Sequence, residues 1–118
     1  VNIMSFGYKN GMPVSADMVF DARFLPNPFY VKSLKELTGN NKKVQNFVLK
    51  HEIAQQFMDE VVQTIETLIP YYKTEDKFYL SVCFGCTGGH HRSVTLANEL
   101  NRRLQADGIR TSLEHRDL

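Results

Sequence analysis

Residues 78–84 form a nearly unbroken apolar run that empties into Gly85-Cys86-Thr87-Gly88-Gly89-His90-His91-Arg92-Ser93, after which Val94, Ala97, Leu100 and Leu104 recur at helical spacing. Such a run reads as a strand buried on both faces and central in a parallel sheet, and the stripe behind the glycines reads as an amphipathic helix. Strand, glycine loop and helix in that order restrict the chain to an α/β layered fold, with ligands expected beyond the carboxyl ends of its parallel strands. Three glycines within five residues let the backbone curl through positive φ and expose its N–H groups. The following helix directs the positive end of its dipole into that curl. Phosphate is the natural guest, and Arg92 in the first helical turn has the fork to clamp two of its oxygens.

The other elements follow from alternation, period and breakers. Residues 2–6 alternate apolar and polar and break at Gly7, giving a first strand. Residues 18–24 are rich in strand formers and run into Leu25-Pro26-Asn27-Pro28, where two prolines exclude ladder donors and helix alike. From Asn41 the period changes: Val44, Phe47, Val48, Ile53, Phe57, Val61, Ile65 and Leu68 fit one long helix or two shorter ones ending at Pro70. Asp107-Gly108 stops the last helix and residues 109–114 supply a final strand. The predicted order is β-β-α-β-(Gly-rich loop)-α-β, a small, mostly parallel sheet flanked by helices, in a single domain over residues 1–118. At 118 residues and 42% hydrophobic content, such a domain fills a core without disulfides or metal.

A formal net charge of +1 demands neither nucleic acid nor an anionic membrane as partner. Its distribution is uneven: residues 1–51 hold seven Lys/Arg against three Asp/Glu, residues 52–76 one against six, and residues 77–118 six against four. An acidic helix thus separates two basic ends. No apolar stretch approaches the roughly 20 residues that span a bilayer. Two cysteines without a leader peptide point to a reducing cytoplasm, and an opening Val1 points to a domain of a longer chain.

Five polar residues around one turn (Thr87, His90, His91, Arg92 and Ser93) exceed what a turn needs for flexibility. The loop lacks the lysine of G-x-x-x-x-G-K-[ST], so it is not a nucleoside triphosphate P-loop. Cys86 and Arg92 do carry the C-x5-R-[ST] spacing of cysteine-dependent phosphatases. A thiolate at the helix N-terminus would attack a phosphoryl group held by the loop amides and Arg92, with Asp21 or Asp117 as general acid. The alternative is a small buried thiol closing the strand. Cys83 and Cys86 form a C-x-x-C whose place before the loop disfavours a redox pair. Adjacent His90 and His91 do not suit one zinc, and no metal or cofactor is expected. In a parallel sheet, Lys9 and the 21–28 loop would share the edge with the glycines. Lys9 and Arg23 would add positive charge to a phosphate pocket and Asp21 would accept from a ligand amine or hydroxyl, or Asp21 would pair with Arg23 or Lys9 to hold the loops together. Phe24, Phe29 and Tyr30 read as core or pocket wall.

The blocks Ser5-Phe6-Gly7-Tyr8-Lys9-x-Gly11, Ala16-Asp17-x-Val19-Phe20-Asp21-x-Arg23-Phe24-Leu25-Pro26-Asn27-Pro28, Leu37-Thr38-Gly39 and Gly85-Cys86-Thr87-Gly88-Gly89-x-His91-Arg92-Ser93-Val94 together resemble the C-terminal domain of the RapZ family of RNase adapter proteins. The resemblance covers essentially the whole chain. It implies a regulatory domain, normally joined to an N-terminal P-loop domain, that binds small RNAs and an amino-sugar phosphate. It also implies a phosphate pocket of Thr87, Gly88, Gly89, His91 and Arg92 with Asp21 and Arg23 nearby. His90 and Ser93 join this set from the loop itself. The family's usual Asn-Pro-His-Trp is Asn27-Pro28-Phe29-Tyr30 here, and the chain closes on His115-Arg116-Asp117-Leu118 rather than on a basic tail. RNA affinity rests on Lys/Arg displacing counterions from phosphates, which leaves Lys42, Lys43, Lys50, Arg102, Arg103 and Arg110 as the candidates. The expected partners are a small phosphorylated metabolite, then an RNA or a protein, with self-association left open.

Overall fold

A computed structural model describes residues 1–77 and 79–118. Its strands are β1 (Asn2–Gly7), β2 (Met18–Asp21), β3 (Ser81–Cys86) and β4 (Ser112–His115), and its helices α1 (Lys42–Leu49), α2 (Glu52–Thr74) and α3 (Arg92–Ala106). Single 3-10 turns at Tyr8–Asn10 and Pro28–Tyr30 follow β1 and β2. The sheet has the order β2-β3-β1-β4 with every pairing parallel, which fulfils the α/β expectation and makes β3 and β1 the inner strands.

Register explains the sequence of β3. Val82, Phe84 and Cys86 point to one face and join the cluster built by α1, α2 and α3, through Val44, Val48, Met58, Ile65, Leu96 and Leu100 among others. Cys83 and Gly85 point the other way, beside Met4 and Phe6 of β1. That second face carries no helix among the described residues. Tyr8 packs edge-on against Phe6 at 4.9 Å, the Arg116 guanidinium lies 5.5 Å from the Phe6 ring, and Pro13, Ser15 and Ala16 border a cleft of about 350 Å³ with Met4, Cys83 and Glu114. Parallel sheets are ordinarily covered on both sides. Here a loop does the work of the second helical layer.

Several predicted boundaries move. Phe78, the expected first residue of the third strand, lies outside the described residues, and β3 begins at Ser81 and runs on through Gly85 and Cys86. Gly85 is therefore a strand residue, and a side chain there would meet Phe6 and Tyr8 ring atoms at 2.5 and 2.6 Å. β2 ends at Asp21 rather than Phe24, because the chain leaves the ladder after Ala22 N–H bonds the Gly85 carbonyl and turns through Leu25 N–H to the Ala22 carbonyl. The helical stretch divides at Lys50 and His51. Pro70 does not end α2, which continues to Thr74. Proline forfeits the bond to the Glu66 carbonyl, but Ile69 and Tyr72 pack on the core across that turn and hold it helical. Phe24, Phe29 and Tyr30 are not core. All three face solvent, Tyr30 at 83% exposure, because the turn set by Pro26 and Pro28 presents them outward.

Candidate functional site

Residues 87–91 join β3 to α3 at the carboxyl edge of the sheet. Only Gly89 of the loop glycines takes positive φ, at 78°, and a side chain there would also meet Gly7 N at 2.6 Å. A side chain on Gly7 would meet the Gly88 carbonyl carbon at 2.5 Å. Two glycine backbones thus pass each other in direct contact, β1 against the loop. Lys9 N–H donates to the Thr87 carbonyl at 3.2 Å, and Lys9 Nζ stands 4.0 Å from where a Gly88 side chain would begin. Helix α3 opens at His91 with no side-chain cap. The amides of Gly88 to Val94 find no acceptor among the described residues. Uncapped amides, a helix dipole and a lysine ammonium meet at one turn.

Arg92 enters that turn from below. Its side chain is buried at 5% exposure, and Nη1 donates to the carbonyls of Arg23 and Leu25 at 3.0 Å each. Nη2 reaches Thr87 Oγ1 only at 3.5 Å, and Nε has no acceptor among the described residues. Half of the expected phosphate fork is therefore engaged with backbone, while Nε and Nη2 keep unspent donors. His91 Nε2 donates to the Lys35 carbonyl at 3.1 Å, and Gly39 N–H donates to the His90 carbonyl at 2.8 Å. Arg92, His91 and His90 together bolt the irregular segment 23–39 onto the loop. The His90 ring is exposed beside it.

Of the alternatives left open for Asp21, the structure shows an ion pair with Arg23. Arg23 donates from Nε and Nη2 to the carboxylate, the shortest contact being 2.7 Å, and its backbone N–H adds 2.9 Å to Oδ1. The Arg23 hydrogen bonds hold the Asp21 carboxyl below its ordinary pKa. Arg23 also stacks on Tyr8, with its guanidinium carbon 3.9 Å from the ring centroid. Tyr8 carried no role in the sequence reading, and only its neighbourhood to Lys9 could have suggested one. Gly39 was equally silent: a side chain there would lie 2.5 Å from the His91 carbonyl oxygen and 2.6 Å from Thr95 N.

Cys86 is not at the loop's centre. It closes β3, is 3% exposed, and its thiol donates to Ser93 Oγ at 3.1 Å, so Ser93 turns inward as well. Cys83 and Cys86 lie on opposite faces of one strand and are both free, and burial pushes the Cys83 thiol up. Asp117 stands at the same edge, accepting Gly7 N–H at 2.7 Å and pairing with Arg116, whose hydrogen bond keeps the carboxyl below its ordinary range.

The basic candidates do not form one surface. Arg102 and Arg103 both bond Glu99, and Arg103 reaches Asp59 as well at 2.6 Å. Burial would push Glu99 up, but the two guanidinium groups hold it below its ordinary range. Arg110 lies at the far end of the sheet beside a cleft of about 480 Å³ that Val1, Tyr72 and Lys73 also line. Lys42, Lys43 and Lys50 are exposed along α1, with Lys50 over Phe47.

No described helix is long and apolar enough to cross a membrane. The sequence model of the RapZ C-terminal domain matches residues 1–118. The chain is 52% identical over its full length to a nucleotide-binding protein of Thermoanaerobacter sp. (strain X514), covering 42% of that protein. It is 49% identical to one of Corynebacterium jeikeium (strain K411) and 48% identical to one of Carboxydothermus hydrogenoformans, covering 40% and 41% of them. The chain thus spans about two fifths of the length of these curated relatives. With four separated sequence blocks meeting at one sheet edge and a family match along its entire length, the chain belongs to the RapZ C-terminal domain family.

Proposed function

We propose that this domain is a regulatory ligand-binding module that holds a phosphorylated metabolite at the turn of residues 87–91 and passes its occupancy to an RNA or protein partner. One observation carries the reading: among the described residues the amides from Gly88 to Val94 have no acceptor, Lys9 Nζ lies over Gly88 in the same turn, and the buried Nε of Arg92, in the first helical turn, is unsatisfied as well. Such amides cost free energy when left unpaired and reward an oxyanion that accepts from several at once. Thr87 adds a hydroxyl at the rim, and the Asp21–Arg23 pair borders the non-phosphate side. The amino-sugar phosphate class comes from the family resemblance, as does the RNA output. Arg102 and Arg103 are paired with Glu99 and Asp59, so an RNA contact would draw on Lys42, Lys43, Lys50 and the rim cations instead.

Holding is favoured over cleaving because the thiol of Cys86 is buried and bonded to Ser93. A phosphatase needs that sulfur in line with a bound phosphorus. Titration with glucosamine 6-phosphate and with inorganic phosphate, followed by amide shifts, tests the site. Shifts are expected at residues 88–94, weakened several-fold by Lys9→Met and unaltered by Cys86→Ser. Silence of those amides at millimolar ligand, or aryl phosphate hydrolysis that Cys86→Ser abolishes, would reject the reading.

A further inference from the structure

Arg23 is half exposed, yet its backbone and most of its guanidinium are held. Its Nε and Nη2 bond Asp21, its backbone N–H bonds the same carboxylate, its carbonyl accepts from Arg92, and its guanidinium rests on Tyr8. A surface arginine ordinarily keeps its rotamer freedom, because ordering it costs entropy that an exposed ion pair does not repay. The Asp21 contact spans only two residues and closes no long loop. What it does achieve is to hold a planar cation against Tyr8 while 48% of the Arg23 side chain remains exposed. Planar cations of this kind are stacking surfaces for electron-rich flat groups, nucleobases above all.

The position of the stack matters as much as its form. Lys9, next in the chain to Tyr8, bonds Thr87 and overhangs Gly88, so the residue that supports the platform adjoins the residue that reaches the phosphate turn. Three N–H groups of Arg23 make four contacts to the Asp21 carboxylate and engage both of its oxygens. A ligand ammonium or hydroxyl would have to break that pair to be recognised, whereas a base stacks on it intact. Resting on the phosphate reading above, we propose that the site takes a nucleoside 5′-monophosphate unit, with its phosphate at the turn of residues 87–91 and its base on the Tyr8-supported face of Arg23.

Three probes on the 118-residue chain separate the parts: inorganic phosphate, ribose 5-phosphate and AMP, each titrated by calorimetry and amide shifts. AMP is expected to bind about tenfold tighter than ribose 5-phosphate, the increment of one stacked base. Arg23→Lys keeps the charge and removes the plane, and is expected to erase that advantage, bringing AMP to the level of ribose 5-phosphate measured in the same variant. Equal binding of AMP and ribose 5-phosphate, or an AMP advantage that survives Arg23→Lys, overturns the base platform and leaves the phosphate site standing. Failure of all three probes to bind removes the phosphate site and the platform with it. A 5′-phosphorylated dinucleotide that matches AMP would assign the unit to a strand end, and one that fails to compete would assign it to a free nucleotide.

Discussion

Gly39 has no side chain, no place in a regular element and no part in a ligand pocket, yet its position is among the most constrained in the molecule. Its N–H bonds the His90 carbonyl, its carbonyl accepts from Gln45 and Asn98, and a methyl group would collide with backbone on α3. Gly39→Ala must push α3 away from segment 23–39, at a cost of about 1–3 kcal/mol in urea denaturation. The loss is expected to fall chiefly on protection of the Gly39 and Thr95 amides from hydrogen exchange. Such requirements were not legible in the sequence. A glycine that admits a neighbouring backbone looks the same as one that makes a turn, and only the meeting of two distant segments separates them. Arg92 presented the converse case. Its position in the first helical turn could be read from spacing, but the carbonyls of Arg23 and Leu25 that occupy Nη1 could not, because they arrive from nearly seventy residues away.

At the scale of elements, periodicity was a sound guide to existence and a weaker one to ends. Four strands, the last helix and the glycine turn all exist in the order that alternation, helical stripes and Asp107-Gly108 gave them, although the last strand is Ser112–His115 rather than residues 109–114. The errors share a cause: residues with strong local preferences were overruled by packing. Pro70 is the clearest, sitting inside α2 because Ile69 and Tyr72 secure the turn around it. Restoring the missing donor tests this directly. Pro70→Ala is expected to stabilise the fold by about 1 kcal/mol or more in thermal or urea unfolding and to leave phosphate titration unchanged. A loss of stability would mean that the proline is required where it stands. Exposed Phe24, Phe29 and Tyr30 teach the same lesson from the other side, since apolar composition alone gives no direction to a side chain.

Across the whole molecule, one half-buried polar chain ties the layers together. Ser5 in β1 donates to His115 Nδ1 in β4 at 2.7 Å, His115 Nε2 donates to Asn98 in α3 at 3.0 Å, and Asn98 donates onward to Gly39 and Asn40. With Ser5 as donor the imidazole is neutral, and burial favours that form by lowering the His115 pKa from its ordinary 6.5. Below that value the unfolded chain binds a proton that the folded chain resists, so stability is complete above pH 6.5 and falls as the pH drops through the lowered value. Unfolding midpoints between pH 7.5 and 5 should decline in the wild type and run flatter in His115→Gln. Asp21, Asp117 and Glu99, all held below their ordinary range by arginine, add their own losses only at more acidic pH. Equal slopes for the two proteins would remove His115 from the account.

The place of β1 in the sheet also governs the order in which the domain can assemble. Asn2 pairs with Ser81 on one side and with Ser112 on the other, so the earliest strand is an inner one whose two partners are both synthesised late. Until residues 81–115 emerge, β1 has unpaired edges and an apolar face that its own neighbours in sequence cannot cover. A fold dominated by such distant pairings closes slowly compared with a helical domain of equal size. During synthesis, the first residues of this chain therefore wait the longest for their neighbours.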